Sequence, residues 1–216
     1  MAKRPVFVPN RTGSKLVTEV PVEFTWHPGM AASQKKKNVS ALHEAAARNR
    51  GLPYILEISS KSERKAGTRL SAFHLPLCND GYEAPLECWF QGSKVFQDGG
   101  PYTDLYHVSP REAKRDPRLR ESGNLIAFRF EGRDYPLSPA TAFYDWIYIR
   151  ALAPHSEWAQ KLERFDAFSD IEFNPAKSIN CQARSCATFV ALCWRDEVRA
   201  CAEDFDHFVS LQSQSV

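Results

Sequence analysis

The chain has 216 residues, 43% of them hydrophobic, 25% charged and 12% aromatic, and 28 Lys and Arg against 26 Asp and Glu leave a net charge of +2. That composition excludes a disordered chain, a collagen-like repeat and a disulfide-dense miniprotein, and so small a charge does not by itself argue for non-specific binding to nucleic acid. We expect a single domain over residues 1–216, in a chain long enough to bury a core of its own. No apolar run reaches the roughly 18 residues of a membrane span. The basic start has no apolar h-region, so a cytoplasmic protein is expected.

Residues 1–15 read as an extended N-terminal arm. Residues 16–26 (LVTEVPVEFTW) alternate and favour strand, and Pro21 demotes them to an edge or broken strand. From Ser33 the apolar positions Val39, Leu42, Ala45 and Ala46 recur at helical spacing until Gly51-Leu-Pro closes the run. Residues 54–60 (YILEISS) predict a buried strand, 61–69 a polar loop, and 70–77 a short apolar segment that turns at Asn79-Asp80-Gly81. Residues 86–96 form a helix candidate broken by Asp98-Gly-Gly-Pro. Ser109-Pro110-Arg111-Glu112 carries a capping box with proline at the first helical position.

Residues 124–137 alternate and turn at Glu131-Gly132, as a hairpin does. Ser138-Pro139 opens a helix with Phe143, Trp146, Ile147 and Ala151 on it, which Pro154 ends. A further helix is expected over 156–164, a loop around Asp170, Glu172, Asn174 and Pro175, one helical stretch over 183–211, and fraying at 212–216. About six helices and a few strands without βαβ alternation give an α+β class, helix-dominated, with a small, mostly antiparallel sheet.

Six cysteines (78, 88, 181, 186, 193 and 201) show no C-x-x-C, and Cys186, Cys193 and Cys201 fit the core face of a helix. The six histidines are scattered without H-x-x-x-H, so neither a metal site nor a cofactor is expected.

On a helix over 86–96, Glu87, Gln91 and Lys94 stand at i, i+4 and i+7 in one narrow stripe, and Leu86, Trp89, Phe90 and Phe96 fill most of the rest. One reading is a solvated polar face. The other is an acid, an amide and an amine sharing a buried cleft floor. Such a trio suits cleavage at an anomeric carbon: the carboxyl moves protons, and a desolvated lysine attacks to form an imine.

Other candidates carry two readings each. Lys61 lies among Ser59, Ser60 and Ser62, a donor set for a phosphate or a plain loop. Gly99 and Gly100 permit close backbone approach and Tyr102 can stack on a base, or the three form an ordinary turn. Lys35–Lys37 and the run Arg111, Lys114, Arg115, Arg118, Arg120 are solvated faces or phosphate contacts. Asn180, Gln182 and Arg184 cap the following helix or bind nucleotide at its start.

The run Glu87-Cys-Trp-Phe-Gln-Gly-Ser-Lys-Val-Phe resembles the signature helix of the NADAR family (NAD- and ADP-ribose-associated, also called YbiA-like), which reads roughly E-H-aromatic-aromatic-Q-A-x-K-F. Leu70-Ser71-Ala72-Phe73 is similar to the S-N-F segment before that helix, the stretch from Val108 through Lys114 and Arg115 to the segment after it, and Ile149-Arg150-Ala151-Leu152 to a later helix. Asp170-Ile-Glu-Phe173 resembles a D-x-x-W motif with Phe for Trp. Ala72 replaces the family asparagine, and the C-terminal W-G-x-G run is absent. Tracts such as Phe143-Tyr-Asp-Trp146 and Asn180-Cys-Gln-Ala-Arg184 look like the branch encoded beside DarT-type DNA ADP-ribosyltransferase toxins.

The resemblance implies a YbiA-like domain acting as an antitoxin. It would hydrolyse the N-glycosidic bond between ADP-ribose and a DNA base, most often guanine. Its partners would be ADP-ribosylated DNA, single-stranded by preference, ADP-ribose as product, and a DarT-type toxin; no membrane, metal or cofactor enters, and a monomer is expected. Glu87, Lys94 and Asp170 would be catalytic. Lys61, Ser71, Phe73, Gln91, Gly99, Gly100, Tyr102, Lys114, Phe173, Asn180 and Gln182 would touch substrate. Two other classes stay open: an N-glycosidase for a small nucleotide-pathway intermediate, and a non-catalytic ADP-ribose or NAD binding module.

Overall fold

The computed structural model describes residues 1–29, 31–176 and 178–213. Strand β1 (Ala2–Pro9) pairs antiparallel with β2 (Val17–Phe24) along its whole length, from Ala2 opposite Phe24 to Pro9 opposite Val17. The first residues are thus extended and also paired. Pro21 sits opposite Pro5 on β2, the outer strand of its sheet, where proline is tolerated. Helix α1 (Ala32–Arg50) lays Val39, Leu42, Ala45 and Ala46 against Val6, Val22 and Phe24, and Gly51 ends it at φ 66°, a left-handed value that glycine adopts without strain.

Strand β3 (Ile55–Glu57) is buried throughout. The segment read as a polar loop contains a short helix, α2 (Lys65–Arg69). Gly67 lets it lie on β3: a Cβ there would stand 1.9 Å from the Glu57 carbonyl oxygen. Strands β4 (Pro76–Asn79) and β5 (Tyr82–Pro85) form a hairpin through Asp80 and Gly81, both at positive φ.

Helix α3 (Leu86–Gly92) is buried along its whole length. It stops four residues earlier than the stripe predicts, because Lys94–Phe96 leave it as strand β6 and pair with β7 (Leu125–Phe130). Gly92 marks the end: any side chain there would run into the Tyr106 ring. A 3-10 turn at Thr103–His107 leads to α4 (Pro110–Arg115), whose capping box has both of its hydrogen bonds, and then to α5 (Arg118–Glu121).

Strand β7 turns through Glu131 and Gly132 into β8 (Arg133–Tyr135). Helix α6 (Ala142–Leu152) starts after Thr141, three residues beyond the predicted Ser138-Pro139, and α7 (Ser156–Leu162) follows. The expected loop near Asp170 begins as a strand, β9 (Ala167–Ser169), parallel to β3. Three fully buried residues are too few for alternation to show in the sequence.

The predicted helix over 183–211 is three helices: α8 (Gln182–Trp194), α9 (Val198–Glu203) and α10 (Phe205–Ser213). Asp196 at φ 58° breaks the first join, and Asp204 breaks the second by accepting from the backbone N–H groups of Asp206 and His207. Gln212 and Ser213 lie within α10, and the rest of the expected frayed tail, 214–216, lies outside the described residues.

The sheets run β2-β1-β9-β3, β4-β5 and β6-β7-β8, and β3 with β9 is their single parallel pairing among the described residues. The class is α+β, with small and mostly antiparallel sheets. The larger core joins α3, α6 and α8 through Phe128, Phe143, Trp146, Ile147 and Phe189. Among the described residues no helix is long and apolar enough to cross a membrane. All six cysteines are free; Cys186 and Cys201 are buried and Cys193 half-buried, as a core role requires.

Candidate active site

The start of α3 is anchored by the chain before it. Its first backbone donors, which have no partner inside a helix, reach back: Leu86 N–H to Leu75 O and Glu87 N–H to Ala72 O, both at 2.9 Å. The Trp89 indole donates to Leu77 O at 2.9 Å. This fixes Glu87 and Gln91 on one inward face, 4% and 6% exposed. Gln91 donates through Nε2 to Glu87 Oε1 at 2.9 Å and accepts from Lys94 Nζ through Oε1 at 2.7 Å. The amide therefore links carboxylate to ammonium. Lys114 of α4 brings a second ammonium to 3.4 Å from Glu87 Oε1 and stands over the Phe73 ring.

Lys94 is displaced from the helix but not from the group. Its Nζ lies 4.7 Å from the Phe90 ring centre. Burial lowers its pKa to about 8; Glu87 pulls it back up and Lys114 pushes it down. At pH 7 that leaves about one lysine in ten as the neutral amine.

Asp170 follows β9 and is joined to the trio through Ala72. The Ala72 N–H donates to Gln182 Oε1 at 2.8 Å, the Gln182 side chain is hydrogen-bonded to Asp170, and Ala72 O holds the Glu87 N–H. Burial raises the Asp170 carboxyl to about 7, against the hydrogen bonds from Gln182 and the Glu172 N–H. The charges of Glu87 and Asp170 both act on the buried Tyr144 phenol, whose pKa lies well above its usual value, chiefly through desolvation. Glu87, Asp170 and Lys114 are thus each tied to Ala72 or Phe73, and Lys94 joins them through Gln91.

A family model described as the DarT1-associated NADAR antitoxin matches residues 2–216. The chain belongs to this NADAR antitoxin family. Comparison with curated proteins gives no match.

The family association makes a DarT toxin the functional counterpart of this NADAR chain. Of the other residues singled out in its sequence, some lie against this cluster and others are held elsewhere. Ser71 turns its hydroxyl inward, to Thr68 O at 2.9 Å and His74 Nδ1 at 2.8 Å. Gly100, at φ 85°, approaches Lys94 itself: a Cβ would lie 2.3 Å from the Lys94 carbonyl oxygen. Gly99 is covered by Tyr102, whose hydroxyl bonds to Ser122 and whose ring lies under the Arg118 guanidinium at 4.4 Å.

Lys61 sits in a loop anchored by its own N–H to Ser59 Oγ at 3.1 Å. Phe173 packs edge-on against Phe7. Asn180 carries a buried Oδ1 with no partner among the described residues. Of the basic runs, Lys35 pairs with Glu172 and Arg118 with Asp104 and Asp116, while Arg111, Arg115 and Arg120 are exposed.

A cavity of about 910 Å³ opens between the β7–β8 hairpin, α6 and α9, and another of about 400 Å³ lies beside β2 and α8; neither has Glu87, Lys94 or Asp170 in its wall. Buried charge marks this candidate site, and cavity size does not. Where no metal-binding group was expected, Glu197, Cys201 and His207 hold ligand-type atoms within 4.8 Å of one another, with His207 Nε2 already hydrogen-bonded to Glu197 at 2.8 Å. Sequence reasoning missed Glu57, a buried acid within the apolar run YILEISS, and that exception to the pattern was the available signal.

Proposed function

We propose that this antitoxin is an ADP-ribosylglycohydrolase that cleaves the N-glycosidic bond between ADP-ribose and a DNA base, guanine in a single strand, and so reverses the toxin's modification. It would act in the cytoplasm as a monomer. The observation that carries this reading is the Glu87–Gln91–Lys94 relay, in which burial brings a lysine to a pKa of about 8 beside a carboxylate.

The reacting centre is the ribose carbon bonded to the base nitrogen. Neutral Lys94 attacks it as the ring C–O bond opens and the ring oxygen takes a proton. The bond to the base then breaks, the base nitrogen accepts a proton from a carboxyl group of the site, and the lysine nitrogen and carbon become an imine. Water adds to that carbon, the imine collapses, and ADP-ribose leaves with the amine restored. Glu87, hydrogen-bonded through Gln91 to Lys94, moves protons between amine and water. Asp170, held near 7, is suited to donate to the leaving nitrogen. Lys114, half-exposed beside Glu87, can meet a phosphate of the substrate. Amine and carboxyls supply the whole proton traffic, so the scheme calls for no metal or redox cofactor.

Borohydride trapping tests the imine. Wild-type protein reduced during turnover is expected to gain a stable ADP-ribose adduct on Lys94, located by peptide mass spectrometry, and Lys94→Ala none. Turnover without an adduct on Lys94 would leave direct attack by water, with Lys94 only stabilising charge.

A further inference from the structure

Glu57 lies on β3, 2% exposed, facing the strand that leads into Asp170. Its carboxylate is held by three donors. Ser59 Oγ and Ile171 N–H reach Oε1 at 2.7 and 2.8 Å, and Ser169 Oγ reaches Oε2 at 2.5 Å. Ser169 and Ile171 are the two chain neighbours of Asp170, so Glu57 grips the backbone on both sides of it. The Ile58 N–H adds a bond to Ser169 O at 2.7 Å.

Ser169 has one hydroxyl hydrogen, and it points to Glu57. His43 Nε2, 2.8 Å from Ser169 Oγ, must then be the donor, as a neutral ring. Burial and the Arg64 charge agree, since they lower His43 to about 4.

The charges around the pair are few. Asp170 acts on Glu57 from the segment after β9, and Glu172 acts on Asp170 in turn. From α1, His43 reaches Ser169 and Lys35 is committed to Glu172, and the charge of Arg64, ahead of α2, acts on His43. Neither Glu57 nor Asp170 forms an ion pair among the described residues. Two adjacent buried carboxyls without a cation do not both ionise near neutrality.

We propose that Glu57 is a positioning residue for Asp170: it clamps both chain neighbours of Asp170, and the two carboxyls hold one proton between them at neutral pH, which keeps Asp170 able to donate a hydrogen to substrate. The inference rests on Asp170 acting in the proposed reaction. Burial raises both carboxyls, Glu57 to about 8 with the charge of Asp170 adding to the rise and Asp170 to about 7 with the charge of Glu172 adding, and the two values agree with the geometry.

The test compares wild type, Glu57→Gln and Asp170→Asn in single-turnover release of ADP-ribose from a modified oligonucleotide between about pH 5.5 and 9.5. Glutamine preserves the clamp: its oxygen accepts from Ser59 and Ile171, and its amide donates to Ser169, which turns its hydrogen to His43 Nε2 as the neutral ring carries its own proton on Nδ1 instead. Only the titrating charge is lost. Because Lys94 titrates above Asp170, the ascending limb of the profile reports Asp170; in Glu57→Gln it is expected to move toward acid by about one pH unit, while the descending limb, set by Lys94, stays in place. The peak should fall about tenfold, because fewer molecules then combine neutral Lys94 with protonated Asp170. A purely structural clamp would lower the rate equally at every pH.

An unmoved ascending limb in Glu57→Gln, with Asp170→Asn inactive, overturns this inference and leaves the glycohydrolase reading standing. Full turnover by Asp170→Asn overturns the role of Asp170, and the inference with it. Should wild type release nothing from DNA, the infrared carboxylic-acid carbonyl band at pH 7 still decides: its presence in wild type and loss in both variants supports the shared proton, and its absence from wild type overturns it.

Discussion

Lys94 shows how little must be arranged to make a reactive amine. One helical turn supplies a carboxylate and an amide, a buried strand start supplies the lysine, and desolvation does the rest, bringing the amine to about 8. The sign of the resulting pH dependence is fixed. A lowered lysine pKa means the reactive neutral form grows as pH rises toward 8 and saturates above it. The rate of adduct formation on Lys94 should therefore climb several-fold from pH 6 to 7 and, because the base leaves only with the proton of Asp170, fall again above pH 8, measured by quenching with borohydride at timed intervals. Glu87→Gln should lower turnover by about 10²-fold or more while leaving ADP-ribose binding within a few-fold, because it removes proton transfer and keeps the side-chain shape. At this scale the grouping of Glu87, Gln91 and Lys94 was legible in the sequence as a polar stripe in an apolar run, whereas Asp170, in a polar loop, stood out only through the family resemblance. Glu57 is signalled only as one acid inside an apolar run, without the second and third polar groups at fixed spacing that mark Glu87. The role of Glu57 depends on β9, which lies more than a hundred residues away in the chain.

Elements explain why the predicted stripe was right about its members and wrong about its geometry. Helical spacing put Lys94 on α3, but β6 pairing with β7 takes that residue out of the helix, and the side chain returns to Gln91 from the strand. Tertiary pairing overrode a local periodicity that spanned fewer than three turns. Gly100 belongs to the same arrangement. Gly100→Ala places a Cβ 2.3 Å from the Lys94 carbonyl at a left-handed φ, so it should lower stability by about 1–3 kcal/mol and reduce turnover through a displaced Lys94, read by thermal unfolding and kinetics on one sample. The capping box at Ser109 and the turns at Asp80-Gly81 and Glu131-Gly132 were legible because their chemistry is local. Helix α2, strand β9 and the two breaks between α8 and α10 were not, since short buried strands and aspartate-capped joins take their shape from distant partners. Ser109→Ala is a local control: it should cost about 1 kcal/mol and leave the pH profile unchanged.

For the whole molecule, β1 lies between β2 and β9, and β9 runs beside β3 to carry Asp170 into place. The first strand is thus part of the frame on which the site rests, a role that reading residues 1–15 as an arm did not anticipate. Global stability should carry the mark of the buried acid pair. Both Glu57 and Asp170 have folded pKa values raised above their unfolded ones, so their favourable contribution is complete below about pH 4 and is lost as pH rises through 7 and 8. Denaturant unfolding should show wild type losing stability from pH 5 to 8, and Glu57→Gln losing distinctly less.

The central claim is that the buried trio removes ADP-ribose from DNA. Its most direct test is turnover of a short single-stranded oligonucleotide carrying ADP-ribosyl-guanine by wild type, Glu87→Ala and Lys94→Ala, each confirmed as folded. Release of unmodified DNA by wild type, abolished in both variants, is the predicted result. Retention of the modified base by wild type, or undiminished release by either variant, would contradict it.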